Sequence, residues 1–350
     1  MYEVSPHEFA SVTSKLAQGY EALRKIEELD VGNTPKDTVW KKDNVTLYHY
    51  RRDSPPLLKT PVLLVYAQVN RHNMLDIQVD RSFIRNLQSA GLDLYLIDWG
   101  YPSREDRYNT LDDYINGYLN GAVDTVRQCC GLDTISMMGV CQGGTFSVIY
   151  SALYNNKVKN LVTLVTPVDF HSKGDMLSHW ARHLDVDALV DYYGNIPGQL
   201  LNTGFEMLKP LLKTKKYIQI LDAADKQAQM LNFLRMEKWI ADSPSQPGEC
   251  FRKFMKELYQ QNKLIKGTLR IGSEVVDLAN ITIPLLNIYA EQDHLVPPDA
   301  SIPLNELVGS TDKCLTKFEG GHIGVFVGSR SQKELAPGIV SWLKERDHHV

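Results

Sequence analysis

The sequence has few of the features that mark several common protein classes. Its five cysteines are an odd number with no Cys-x-x-Cys spacing, which argues against both a disulfide framework and a zinc site. No uninterrupted apolar run approaches the roughly 20 residues that a membrane span needs, and the N-terminus has no basic segment followed by an apolar one. With a net charge of −4, the chain has no polybasic field for nucleic acid. We therefore expect a cytoplasmic protein with no metal site and no nucleic-acid partner.

What is present is typical of a soluble globular enzyme. Apolar residues make up 43% of the chain and charged residues 23%. A length of 350 residues can hold one large α/β domain or two smaller ones. The chain contains no internal repeat and no low-complexity segment.

Short apolar or alternating runs predict strands, and helical patterns lie between most of them. The runs are VTLYHY (45–50), PVLLVYA (61–67), LDLYLID (92–98), TISMMG (134–139), NLVTLVT (160–166), PLLNIYA (284–290) and CLTKF (314–318). Strands that alternate with helices imply right-handed βαβ units and a mostly parallel sheet covered on both faces. The alternation breaks once, between Asp169 and Ile283, where the pattern is helical or turn-rich and only TLRIGSEVVDL reads as a short hairpin.

These patterns divide the chain into four parts. Ser5, Pro6 and Glu8 form a capping signature, and an amphipathic helix is predicted from Ser5 to Leu29 within an N-terminal part, 1–33. The first part of the α/β core is predicted at 34–169 and the second at 283–350. The block between them, 170–282, is interpreted as an insertion that covers the active site, and we call it the cap block.

The stretch MMGVCQGGTFS places Cys141 on a tight turn between a predicted strand and a predicted helix. Such a turn strains the backbone of its central residue, and Gly139 and Gly143 lack the Cβ atoms that would keep strand and helix apart. The pattern is that of the nucleophile elbow of α/β-hydrolases with cysteine in place of serine. A buried thiol in a glycine-rich turn is the alternative, so the rest of the chain has to decide.

Two further residues follow predicted strands and complete a catalytic constellation. Asp293 comes after PLLNIYAEQ and His322 after CLTKFEGG, so both are expected at the same edge of the sheet as Cys141. The order nucleophile, Asp, His is that of α/β-hydrolases. A free thiol has a pKa of about 8.5, so a cysteine nucleophile needs an imidazole and a helix N-terminus beside it. His322 is the predicted base, and Asp293 is predicted to orient it.

Residues around this triad are assigned less direct roles. The oxyanion hole is expected from the backbone N–H of Gln142, directly after the nucleophile, and from a backbone N–H near Val69, in the loop after an early strand. His294 is the rival base, but adjacent residues of an extended loop point in different directions. We therefore expect His294 to contact the triad residues rather than the substrate. Cys129 and Cys130 are interpreted as packing residues. The basic cluster is interpreted as a solvated face and consists of Lys209, Lys213, Lys215 and Lys216.

Many segments, in order, resemble one family. They are GVCQGGTFS, YLIDWGYPS, TLDDYINGY, KNLVTLVTPVDFH, DVDALVDYYGNIPG, NFLRMEKWIADSP, FMKELYQQNKL, NIYAEQDHLVPP and GGHIG. Together they resemble the catalytic subunit of poly(3-hydroxyalkanoate) synthases, most closely the short, two-subunit class III type. The resemblance runs from about Thr34 onward.

The resemblance implies an α/β-hydrolase fold with a cap and an acyltransferase activity. Cys141, Asp293 and His322 match the family's catalytic cysteine, aspartate and histidine. The implied substrate is a short-chain 3-hydroxyacyl-CoA such as 3-hydroxybutyryl-CoA, which is polymerised into polyester with release of CoA and without a cofactor. The implied partners are a second synthase subunit and further copies of the chain, at the surface of cytoplasmic polyester granules.

Cysteine also suits this chemistry. If Cys141 attacks a CoA thioester, the product is again a thioester, so the acyl group stays activated for attack by a hydroxyl. The alternatives are a cysteine hydrolase of the dienelactone hydrolase or acyl-CoA thioesterase type, and a non-catalytic binding or scaffold protein of the same fold.

Overall fold

The computed structural model of the chain describes residues 31–208 and 227–347. The predicted N-terminal helix and the lysine cluster that begins at Lys209 lie outside the described residues.

The main sheet has eight strands in the order β1-β2-β4-β3-β5-β6-β9-β10. β1 and β2 pair antiparallel, as do β2 and β4, and every other pair is parallel. The sheet is therefore mostly parallel, as predicted. The strands, including a separate hairpin of β7 and β8, are β1 (Lys36–Lys42), β2 (Val45–Tyr50), β3 (Val62–Val65), β4 (Leu94–Asp98), β5 (Ile135–Val140), β6 (Val158–Leu164), β7 (Arg270–Ile271), β8 (Glu274–Val275), β9 (Leu285–Ala290) and β10 (Lys313–Phe318).

Helices connect the strands and cover the sheet. The α-helices of the described residues are α1 (Phe83–Ser89), α2 (Asn120–Cys130), α3 (Gln142–Leu153), α4 (Met176–Arg182), α5 (Val186–Tyr193), α6 (Gly198–Leu208), α7 (Gln227–Ala241), α8 (Gly248–Lys253), α9 (Pro298–Ser301), α10 (Leu304–Leu307), α11 (Gly324–Val327) and α12 (Ala336–Arg346). Three π-helical turns occur at Asp113–Leu119, Phe254–Gln260 and Ser331–Leu335. Short 3₁₀ turns occur at His72–Leu75, Val79–Arg81, Glu105–Tyr108, Asn155–Lys157 and Leu278–Asn280.

Two apolar cores lie on the two faces of the sheet. Successive residues of β3 point into opposite cores: Leu63 and Val65 belong to one, and Val62 and Leu64 to the other. All four side chains are buried, which is why this strand reads as a continuous apolar run rather than as an alternating one.

The sequence patterns missed one strand of the main sheet. β1, KDTVWKK, is a polar edge strand that pairs only with β2 and has no fully buried side chain. An edge strand with lysines at its ends carries no apolar run to reveal it. The hairpin predicted within TLRIGSEVVDL is confirmed, since β7 and β8 pair antiparallel.

The described part of the cap block is helical apart from the β7–β8 hairpin, and it adds no strand to the main sheet. Ala181, Val186, Val190, Ile196 and Met255 form a small apolar cluster of their own. Side chains later in the block, among them Phe254, Leu258 and Leu264, belong instead to the main core that contains Leu63 and Val65 of β3. The block therefore has a separate first portion and an end that is continuous with the main core.

Candidate active site

Loops that carry the predicted site residues meet at one edge of the sheet. β3, β5, β9 and β10 run parallel to one another, so their carboxyl ends point the same way. Val69 lies after β3, Cys141 after β5, Asp293 after β9 and His322 after β10. The topology thus collects residues that are far apart in the chain, as expected for an α/β sheet.

Cys141 sits at the sharp turn between β5 and α3. Its backbone φ is 52°, a left-handed value that is unusual for a residue with a side chain. Such strain costs on the order of 1–3 kcal/mol and is found mainly at functional sites. A Cβ on Gly143 would overlap the carbonyl oxygen of Val65, and one on Gly139 would overlap Gly144, so both glycines permit the close packing. The Cys141 side chain is half-buried.

Asp293 and His322 form a short, buried hydrogen bond. His322 Nδ1 lies 2.6 Å from Asp293 Oδ2. The other carboxylate oxygen, Oδ1, accepts the backbone N–H groups of Leu295 and Val296, each at 2.9 Å. These bonds orient the carboxylate, which in turn favours the imidazole tautomer that carries its proton on Nδ1. Nε2 is then the nitrogen left to take a proton from a nucleophile.

Electrostatics couple His322 to both partners. Burial acts to lower the pKa of His322, but the charges of Asp293 and Cys141, together with the hydrogen bond that the ring donates to Asp293, raise this pKa to about 10. Cys141 and Asp293 therefore both act on the His322 ring, and the predicted triad residues are brought together. The raised pKa means that the imidazole readily holds a proton received from the thiol.

The two predicted oxyanion donors come from adjoining segments. Gln142 begins α3, and its side-chain Oε1 accepts the backbone N–H of Gln68, next to Val69, at 3.0 Å. Within the described part of the chain, neither the Gln142 amide nor the Val69 amide donates to another protein group. Their role as oxyanion donors stays a prediction. The bond from Gln68 to the Gln142 side chain was not foreseen, because it joins residues that are 74 positions apart.

His294 is half-buried on the loop that carries Asp293. The Asp293 carboxylate bonds the His322 ring, as predicted for the base. The supporting role of His294 stays a prediction.

Two tyrosines and a further carboxylate near the triad were missed. Burial and then Cys141 raise the pKa of Tyr66, and burial, Asp175 and Cys141 raise that of Tyr259, so both hydroxyls remain protonated at neutral pH. Burial raises the pKa of Asp175, with a smaller contribution from Asp293. Tyr66 directly follows β3, so its place at a carboxyl end could have revealed it. The other two belong to the cap block and have no such signal.

The remaining cysteines of interest differ from each other. Cys130 packs against the core, and its Sγ lies 3.6 Å from the hydroxyl of Tyr95. Cys129 is exposed, so its interpretation as a packing residue was wrong. It comes one residue before Cys130, the last residue of α2, and its side chain faces solvent.

Residues 31–208 and 227–347 contain neither a metal-binding cluster nor a membrane-spanning helix. No cluster of three or more histidine, cysteine or acidic side chains in these ranges has the arrangement of a metal site. No helix there has both the length and the apolar character to cross a bilayer.

Comparisons with known proteins place the chain in a family. A family model described as alpha/beta hydrolase fold matches residues 60–329. The poly(3-hydroxyalkanoate) polymerase subunit PhaC of Allochromatium vinosum is 51% identical over 342 residues, which are 97% of this chain and 96% of that protein. A protein of the same name from Synechocystis is 49% identical, over 98% of this chain and 94% of its own length.

Solved structures agree on the fold. The crystal structure of a putative lipase from Sulfolobus solfataricus superimposes with a TM-score of 0.55 at 15% identity, covering 91% of this chain and 99% of that one. At that identity the likeness concerns the fold alone, and it confirms the predicted fold class. Identity near one half over almost the full length of both relatives also confirms the predicted family. The chain belongs to the poly(3-hydroxyalkanoate) polymerases, acyltransferase enzymes with the α/β-hydrolase fold, as a member of the PhaC subunit family.

Proposed function

We propose that this polymerase converts 3-hydroxyacyl-CoA into polyester through a thioester on Cys141. The observation that carries the proposal is that the strained Cys141 and the carboxylate of Asp293 both raise the pKa of His322 at the carboxyl edge of the sheet, where His322 also bonds Asp293. The relatives' name, poly(3-hydroxyalkanoate) polymerase, supplies the polymer. No cofactor is needed, because the CoA thioester itself activates the acyl group, and the acyl group remains a thioester after transfer to Cys141.

In the first step, the Cys141 sulfur attacks the thioester carbonyl after its proton has passed to His322. A new C–S bond forms, the bond to the CoA sulfur breaks, and CoA leaves as a thiol with the proton from His322. The negative oxygen of the tetrahedral intermediate accepts hydrogen bonds from the backbone N–H groups of Gln142 and Val69. Asp293 stabilises the imidazolium while the proton resides there.

In the second step, a hydroxyl of a hydroxyacyl chain attacks the acyl group on Cys141. His322 removes the hydroxyl proton, an ester bond forms, the C–S bond breaks, and the proton returns to the Cys141 thiolate. Both thioesters are of similar energy, so the transfer onto the enzyme is nearly balanced and the ester-forming step drives elongation.

Water competes with the hydroxyl, and the cap block is proposed to exclude it. Asp175 and Tyr259 of the block lie close enough to the triad to exchange electrostatic effects with it. Trp239, also from the block, donates its indole N–H to the backbone oxygen of Arg71 at 2.6 Å, which brings the block onto the loop after β3. Such coverage protects an acyl enzyme from hydrolysis.

Turnover of a short-chain substrate tests this function. With 3-hydroxybutyryl-CoA, we expect CoA release to accompany a polymer of many units, detected by mass after extraction. A longer 3-hydroxyacyl-CoA in the same assay measures the preference for side-chain length. CoA release with free 3-hydroxybutyrate as the only other product would instead identify a cysteine hydrolase of the thioesterase or dienelactone hydrolase type.

We further propose that the enzyme is of the two-subunit class III type. Support comes from the name of the Allochromatium vinosum relative, a polymerase subunit, which is aligned over 96% of its length with 97% of this chain. On this proposal the chain forms a homodimer or higher oligomer and works with a second, helix-rich subunit, which binds the predicted helix Ser5 to Leu29. The complex collects at the surface of cytoplasmic polyester granules, because the product is apolar and insoluble.

Partner dependence is the testable part of that proposal. We expect the purified chain to polymerise weakly and with a lag, and co-expression with its second subunit to raise the specific activity and remove the lag. Deleting residues 1–29 should abolish the gain while basal CoA release persists. Full activity of the chain alone, unchanged by the second subunit, would refute the dependence.

A further inference from the structure

The peptide group between Gln68 and Val69 accepts a hydrogen bond from a glutamine side chain of the cap block. Gln246 Nε2 donates to the backbone oxygen of Gln68 at 2.8 Å, and the two side chains are only 2% and 5% exposed. A trans peptide group is planar, and its C=O and N–H point in opposite directions. The bond that fixes the Gln68 oxygen therefore also fixes the direction of the Val69 N–H.

Gln246 is itself held firmly. Its backbone N–H and C=O both bond Ile196, each at 2.8 Å, in an isolated antiparallel bridge. Ile196 is 1% exposed and belongs to the apolar cluster of the cap block with Val186 and Val190. The donor on Gln246 is thus anchored to the first portion of the cap block rather than to the sheet.

The flanking residues of the loop are held as well. Gln142 Oε1 accepts the Gln68 N–H on one side. On the other side, Asn70 has a left-handed φ of 58°, and its Nδ2 donates to Ser243 Oγ at 3.1 Å. Rotation of the Gln68–Val69 peptide group would break the Gln246 bond and leave a buried carbonyl without a partner, which is unfavourable.

We propose that Gln246 is a positioning residue for acyl transfer: it aims the Val69 amide at the oxyanion, so that the oxyanion hole is complete only while the cap block is seated. The inference rests on the proposed function, since it takes Val69 as an oxyanion donor. It makes the cap block part of the catalytic machinery as well as a barrier to water. Seating of the cap over a bound substrate and assembly of the hole then become a single event.

Two reactions of the same thiol separate this role from a structural one. Acylation of Cys141 by 3-hydroxybutyryl-CoA passes through an oxyanion, whereas alkylation by iodoacetamide forms a C–S bond and expels iodide without one. Gln246→Met keeps the approximate volume and removes the donor. We expect its single-turnover acylation to be about 10- to 100-fold slower, less than the roughly 10²- to 10³-fold cost of deleting an oxyanion donor outright. Alkylation of Cys141, measured by mass on its peptide, should stay within about twofold of the natural enzyme, because nothing in that reaction depends on the hole.

Gln260→Ala is the matched control. Gln260 Nε2 also donates to backbone oxygens, those of Ala181 and Leu184 at 3.2 and 2.9 Å, but both acceptors lie within the cap block. This variant should acylate at the natural rate. Gln246→Ala serves as a second test of the donor, with the same expected separation of the two reactions.

Four outcomes overturn the inference. Acylation of both Gln246 variants at the natural rate would show that the bond has no part in transfer. Equal slowing of acylation and alkylation would mean general damage to the site, and equal slowing in Gln260→Ala would mean that cap stability, not the peptide direction, matters. If the natural enzyme itself forms no acyl enzyme, the proposed function fails first, and this inference falls with it.

Discussion

Cys141→Ala should abolish polymerisation and leave no acyl enzyme, a loss greater than about 10⁴-fold, comparable with removal of a nucleophile in other triad enzymes. The reason is positional: Cys141 alone among the cysteines of the described residues occupies the turn between β5 and α3, and it lies near enough to His322 to raise the pKa of that imidazole. Radiolabelled 3-hydroxybutyryl-CoA, followed by gel separation, measures the bound label directly. Cys129→Ala is the control, because that exposed side chain lies at the far end of α2, and it should keep nearly full activity.

Cys141→Ser makes the same prediction sharper. A hydroxyl has a far higher pKa than a thiol, and an ester on serine is less reactive toward the next hydroxyl than a thioester. We expect polymerisation to fall by orders of magnitude even though the serine fits the turn. Near-natural polymerisation by this variant would contradict the thioester step.

His322→Gln and Asp293→Asn should fail in different ways. The glutamine variant loses the base for both steps, so neither acyl enzyme nor polymer should form, a loss of at least about 10²- to 10⁴-fold. The asparagine variant should still acylate slowly, because the imidazole can still pair with the thiol, and the label should accumulate on Cys141 while elongation stalls. Label on the His322 variant, or its absence from the Asp293 variant, would contradict these roles. His294→Gln is the control, and a greater loss there than in His322→Gln would reassign the base.

The pKa of His322 provides an independent readout of the same pair. Asp293 raises this pKa above its ordinary value of 6.5, so the imidazolium in the natural enzyme persists to high pH. Removing the carboxylate charge in Asp293→Asn should lower the pKa, and the ring should lose its proton at a lower pH. Titration of the ring nitrogens by NMR in both proteins measures the shift. An unchanged midpoint would mean that Asp293 does not stabilise the charged ring.

Sequence patterns predicted most strands and the three candidate triad residues because both leave a local signature. A buried parallel strand such as β3 reads as an apolar run, and residues that follow such runs must lie at one edge of the sheet. Cys141 was recognisable from two glycines within four positions of each other. β1 escaped because an exposed edge strand needs no apolar residues, and the exposure of Cys129 escaped because helix packing decides which of two adjacent side chains faces the core.

By itself, the sequence determined the fold class, the family, and the choice of Cys141, Asp293 and His322 as candidate site residues, since these depend on residue types, their order and short-range spacing. Only the tertiary structure decided what surrounds them: the 2.6 Å bond from Asp293 to His322, the bond from Gln68 to the Gln142 side chain, and the bond that Gln246 extends to the Gln68 oxygen. The last of these joins residues 178 positions apart. A hydrogen bond at that separation leaves no periodicity in the chain, because a side-chain amide can satisfy any backbone oxygen that folding brings within reach.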